Sequence, residues 1–193
     1  MPPKQKYSRE LIIQTAKAII ERDGVECLSH RTIAKELGCS TQPIMSNFKS
    51  MDEVRLAVRQ AIDLEITAHI QNGVKTGVYA MVGAVYAYIE YAAAHPNLFL
   101  FLVLDSRIES YGGLLLAKMD PSPLLADLAC SVGLTPEGVK RVYAHCWLFS
   151  HGVAIAKATG ACPFSMEELK GLIDMNTHGV IKELKERGYG LDQ

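Results

Sequence analysis

Apolar residues recur along this chain at three- and four-residue spacing almost throughout, which predicts helices and no sheet. Ser8 heads a first helix to about Arg22 with Leu11, Ile12, Thr15, Ala16 and Ile19 facing inward, and Gly24 follows. Ile33, Ala34 and Leu37 mark one face of a second helix. Gly38 suits a left-handed stop, and Ser40 is the expected cap of a third helix. The run Ser50-Met51-Asp52-Glu53 has the form of a capping box and predicts a fourth helix to about Ile70, with a break or bend at Gly73 and Gly77. Residues 78–94 are apolar on nearly every side, as in a buried central helix. Pro96 ends it, and the short apolar run from Phe99 to Leu104 reads as helix in this context. Residues 105–120 are the least regular, and 121–132 suit a helix opened by prolines. Two long helices close the pattern, Glu137 to Ala158 and Met166 to Arg187, the second behind the capping box at Ser165.

Two short helices joined by a tight glycine turn are a helix-turn-helix, whose second helix enters a major groove. On the third helix Thr41, Gln42 and Ser46 are the polar candidates for base edges; Gln pairs with adenine N6 and N7, while Thr and Ser are permissive. Pro43 sits in the first turn, where its missing N–H costs little and its ring can meet a thymine methyl. Ile44 and Phe48 are read as anchors into the core. Ser29, His30, Arg31, Asn47 and Lys49 are phosphate candidates, with Lys4, Lys6 and Arg9 as a basic arm.

Arg9 to Val58 resembles the DNA-binding domain of the TetR family of transcriptional regulators. The matching positions are Ile12, Ala16, Gly24, Ser29, Ile33, Ala34, Leu37, Gly38, Ser40, Ile44, Phe48 and Ser50, without a gap. Met45 stands where that family commonly has Tyr, Asn47 where it has His and Met51 where it has Lys. Trp147 to Gly152 and His95 to Phe99 resemble, more loosely, the W-x-x-x-H-G and H-P-x-L-F signatures of TetR-type C-terminal halves. The resemblance implies an all-α protein of about nine helices. Its helix-turn-helix domain, residues 1–52, is expected to join through helix four to a ligand-binding and dimerisation domain, residues 53–193. It also implies a cavity for a small inducer. Tyr79, Tyr86, Phe99, Phe101, Tyr111, Tyr143 and Trp147 are candidate walls, and Arg107 or His151 candidate polar groups.

Charge agrees with this division. The net charge is −1, yet residues 1–60 carry ten Lys/Arg against seven Asp/Glu and the remainder ten against fourteen. A basic N-terminal third on an acidic body fits a DNA-facing domain. One short reading helix recognises few bases, so a homodimer on a palindromic operator is expected, paired through the last two helices. The longest stretch without Asp, Glu, Lys or Arg, Val142 to Ala156, is too short for a membrane span. The start has no apolar core of a secretory signal, which predicts a cytoplasmic protein. No catalytic motif, metal-ligand spacing or cofactor loop stands out, so neither an enzyme nor a cofactor is expected. The expected function is a ligand-released transcriptional repressor. The alternatives are a redox sensor on the same scaffold, using Cys39, Cys130 or Cys146, and an all-helical protein that does not bind DNA.

Overall fold

The computed structural model describes residues 7–76, 80–104, 125, 129 and 131–191. Among them are eight α-helices and no strand beyond an isolated bridge. Helices α1 (Arg9–Asp23), α2 (His30–Leu37), α3 (Gln42–Asn47) and α4 (Met51–Thr76) are followed by α5 (Ala80–Ala94) and α6 (Pro96–Leu104). Helices α7 (Pro136–Ala158) and α8 (Met166–Leu184) complete the set. The expected irregular stretch 105–120 and most of the expected helix 121–132 lie outside the described residues. No single described helix is long and apolar enough to cross a membrane.

The chain divides into two compact units. The first comprises Met1–Glu65 with His95–Gly112, the second Ile66–Ala94 with Gly113–Gln193. Passage from one to the other falls inside α4.

In the first unit, Ile12, Ala16, Ile19 and Ile20 of α1 form the buried stripe. Leu11 does not join it: it is 42% exposed, and the core face is completed by Ile20 instead. Ile33 of α2, Ile44 of α3 and Val54, Val58 and Ile62 of α4 close the core from the other elements. Helix α6 packs on α1, and its Leu98, Phe99 and Leu102 are buried. The two are tied at the end of α1, where Glu21 meets His95 Nδ1 at 2.5 Å and its carbonyl accepts from Asn97 Nδ2 at 2.9 Å. Pro96 therefore does two things. It closes α5, and with its fixed φ it opens α6.

Caps explain most boundaries. Ser29 and Thr32 make a reciprocal box that starts α2, and Ser165 and Glu168 make one that starts α8. At α4 the box is shifted. Ser50 Oγ accepts from Glu53 N at 3.2 Å, whereas the Glu53 carboxylate takes the N–H of Lys49 at 2.7 Å.

The second unit is built on α5, whose buried residues include Met81, Ala84, Val85, Tyr88 and Ala92. It packs against α7, and α7 against α8. Gly73, expected to break or bend α4, lies within it. What it provides is proximity: a Cβ there would fall 2.5 Å from the Gly83 carbonyl oxygen and 2.6 Å from Ala87 Cβ on α5. After α8 the segment Lys185–Tyr189, kinked at Gly188 with φ 85°, brings the chain back to the start of α7. Thr135 N–H donates to Tyr189 O at 2.8 Å and Leu191 N–H to Gly133 O at 3.1 Å.

Candidate nucleic-acid interface

The turn between α2 and α3 is set by Gly38, at φ 63° and ψ 39°, a left-handed conformation that a side chain disfavours. Its N–H and that of Cys39 return to carbonyls of α2. Ser40 does not cap α3; the cap position is Thr41, in helical geometry and without a side-chain bond. The cap falls one residue after the serine, and α3 begins at Gln42 with Pro43 in its first turn.

The inward side of α3 is fixed by three residues. Ile44 is fully buried and Phe48 is 2% exposed. Asn47, expected to meet phosphate, spends its amide inside the protein, donating to Pro43 O at 2.8 Å and Tyr7 O at 3.3 Å. Arg9 reinforces this side: its guanidinium lies 4.0 Å from the Phe48 ring centroid and donates to Asn47 O at 2.8 Å and to Glu53. Arg9 is thus a fastener between α1, α3 and α4 rather than part of a loose arm.

With that side inward, Gln42, Met45 and Ser46 are exposed, and Thr41 and Pro43 half-buried at the rim. Ser46 Oγ donates to Gln42 O at 2.9 Å, so its proton is already used. Met45 is 56% exposed, a large apolar group on a polar face that the hydropathy pattern does not explain.

The cations divide into two groups. Arg22 is held by Asp23 and Glu36, and Arg9 by Glu53; the guanidinium contacts keep all three carboxyls below their usual range, with the Lys49 N–H first among the causes for Glu53. Arg31 and Lys49 are exposed and make no side-chain ion pair among the described residues, which leaves their charge for a phosphate. Ser29 is half-buried and engaged in its capping box. His30 turns Nε2 inward, where it meets no hydrogen-bond partner among the described residues. Lys4 and Lys6 lie outside the described residues.

The residues expected to line an inducer cavity do not form one group. Tyr79, Arg107 and Tyr111 lie outside the described residues. Phe99 and Phe101 are core residues of the first unit, 0% and 2% exposed. Tyr86, Tyr143, Trp147 and His151 belong to the second unit. There Trp147 stacks on His151 with ring centroids 5.2 Å apart, and His151 Nδ1 is 2.8 Å from the hydroxyl of Tyr88. Burial pushes the phenol of Tyr88 up and the imidazole of His151 down, so both groups stay neutral. Tyr88 was not nominated from the sequence, although its place three and four residues from Val85 and Ala84 on the buried face of α5 was legible. Tyr86 faces α8 instead and donates to Asp174 at 2.9 Å. Tyr143 flanks the core cluster around Val139, Val142 and Cys146.

An open groove of about 910 Å³ runs across α7 and α8 and the turn between them, lined by Leu148, Gly152, Phe164, Leu172, Met175 and Gly179 among others. None of the nominated cavity residues among the described ones lines it. Four of its residues are large and exposed: Leu148 at 64%, Phe164 at 44%, Leu172 at 37% and Met175 at 71%. Helix α8 therefore carries two apolar faces, one buried through Leu169, Ile173 and Leu184 and one open through Leu172, Met175 and Gly179. Of the three cysteines considered for redox sensing, Cys130 lies outside the described residues and Cys39 is half-buried in the turn. Cys146 is buried 3.6 Å from Thr177 Oγ1, and burial pushes its thiol up, the opposite of what oxidation requires.

No family model matches the sequence. An uncharacterized HTH-type transcriptional regulator of Mycobacterium tuberculosis is 28% identical over 172 residues, 80% of this chain and 72% of that protein. Three solved structures from Rhodococcus sp. RHA1 share the fold. A protein of unknown function has a TM-score of 0.74 at 21% identity, over 93% of this chain and 98% of that one. A TetR-like transcriptional regulator has 0.68 at 16%, over 90% and 96%. A transcriptional regulator has 0.59 at 17%, over 91% and 97%. The chain thus has the all-helical fold of TetR-like regulators.

Proposed function

We propose that this chain, with its TetR-like fold, is a DNA-binding transcription regulator that grips a palindromic operator as a homodimer and represses until a small molecule releases it. The observation that carries the reading is α3. Ile44, Asn47 and Phe48 hold one side of it inward, and Gln42 and Ser46 stand outward beside uncommitted Arg31 and Lys49. Phosphate contacts from such cations position a reading helix, and base-edge contacts give it specificity.

The dimer is supported by the open face of α7 and α8. An apolar patch of this kind on a regulator calls for a partner, and a two-fold pair covers the same patch on both copies. Small residues at Gly152 and Gly179 allow close helix approach. Release by a ligand is supported by α4, which contains residues of both units. A ligand acts only through its different affinity for two conformations. The second unit offers aromatic walls with one neutral polar pair, Tyr88 and His151.

The test is a mobility-shift titration of the full chain against duplex DNA from upstream of its own gene. The expected result is retardation at low salt with log affinity falling linearly in log salt. Absence of retardation at low salt refutes the DNA-binding reading.

A further inference from the structure

On the outer face of α3 Ser46 has given its proton to the Gln42 carbonyl and accepts one long bond from Gln42 Nε2 at 3.5 Å, which leaves the second amide N–H and Oε1 of Gln42, and the exposed Met45 thioether, to meet a base edge. Gln42 and Met45 are three residues apart, so they stand side by side on one helical face, about 5–6 Å between Cβ atoms. A thioether has no proton to donate and is a weak acceptor. It therefore gains nothing from a phosphate, cannot bond the N7 and O6 acceptors of guanine, and meets the N4 amino donor of cytosine only weakly. The one apolar feature of a major-groove edge is the C5-methyl of thymine. Met45 also cannot turn inward, because Ile44 and Phe48 already fill the core side of the helix.

We propose that Met45 is a specificity-determining residue, packing its side chain on a thymine methyl in each half-site, one or two base pairs from an adenine held by Gln42. The spacing follows from the separation of the two side chains and the roughly 3.4 Å between successive bases. This inference rests on the DNA-binding reading above.

The test begins by selecting a duplex from a randomised pool with the full-length protein. Each half-site thymine is then replaced singly by deoxyuridine, which removes the methyl and leaves every hydrogen-bonding group in place. Binding is measured for the parent, Met45→Ala and Met45→Leu. One thymine per half-site is expected to be methyl-sensitive, with about four-fold weaker binding per lost methyl. Met45→Leu keeps that discrimination. Met45→Ala binds the thymine and deoxyuridine duplexes equally, at the weaker level. Met45 is exposed, so both variants should fold, which circular dichroism checks. Two results overturn the inference alone: selected duplexes insensitive to deoxyuridine at every thymine, or undiminished discrimination by Met45→Ala. A pool that yields no enriched duplex refutes the DNA-binding reading itself.

Discussion

Replacing Gly73 with alanine sets two effects of known size against each other. Within a helix, alanine is favoured over glycine by about 0.5–1 kcal/mol, chiefly through backbone entropy. At Gly73 the new Cβ would meet the Gly83 carbonyl oxygen at 2.5 Å and Ala87 Cβ at 2.6 Å. An ordinary carbon–oxygen contact is about 3.3 Å, so α4 and α5 must part by most of an ångström. Neither neighbour is the end of a flexible side chain, and interiors packed at crystal-like density do not yield cheaply. Overpacking of this kind costs about 1–3 kcal/mol, so the steric effect wins and Gly73→Ala should destabilise by about 1–2 kcal/mol. For a chain of this size that lowers Tm by about 2–8 °C. The assay is thermal unfolding followed by circular dichroism, at fixed protein concentration because association shifts Tm. Gly171→Ala is the control. It lies within α8, and a Cβ there meets nothing within 4 Å. It should raise stability by about 0.5–1 kcal/mol. A Gly73→Ala protein that melts at or above the parent, with the control behaving as expected, would refute the argument from close helix approach.

Met175→Glu puts a charge on the open face of α8, where Met175 is 71% exposed; sedimentation should show monomer with unchanged helicity, and a persistent dimer would move the interface elsewhere. Arg31→Ala and Lys49→Ala should each weaken binding to all duplexes alike and reduce the salt slope by about 1; an unchanged slope removes that residue from the phosphate contacts. Burial holds His151 below its ordinary value of 6.5, so as pH falls the unfolded chain takes up this proton first. The native state therefore loses stability as pH drops below about 6.5. Urea midpoints at about pH 7.5 and about pH 5.5 should differ less in His151→Gln than in the parent; an equal difference would mean that other groups carry the dependence.

Much of the first unit was legible in the sequence because its signals are local. The Gly38 stop, the box at Ser29 and the periodicity of α1 each depend on residues within one or two turns. The same holds for Ser165, whose capping partner is three residues away. The departures fell where local signals compete or where tertiary contacts decide. Ser40 has the chemistry of a cap, but Thr41 takes the position. Asn47 has the chemistry of a phosphate contact, but Pro43 and Tyr7 claim it. Gly73 reads as a helix breaker unless one knows that α5 lies against it. Tyr86 and Tyr88 differ by two residues and so occupy different faces of α5. Only knowledge of what packs on each face assigns one to Asp174 and the other to His151.

Two antiparallel helices joined by a short turn are ordinarily free to splay at the far end. In the pair α7 and α8 that end is clasped too, by the Thr135–Tyr189 and Leu191–Gly133 bonds and by Tyr189 lying against Gly138 under the Arg141 guanidinium. The pair becomes a closed frame. Whatever seats itself against its open face meets a panel whose width is already set, and opening either end should loosen the fit along the whole length.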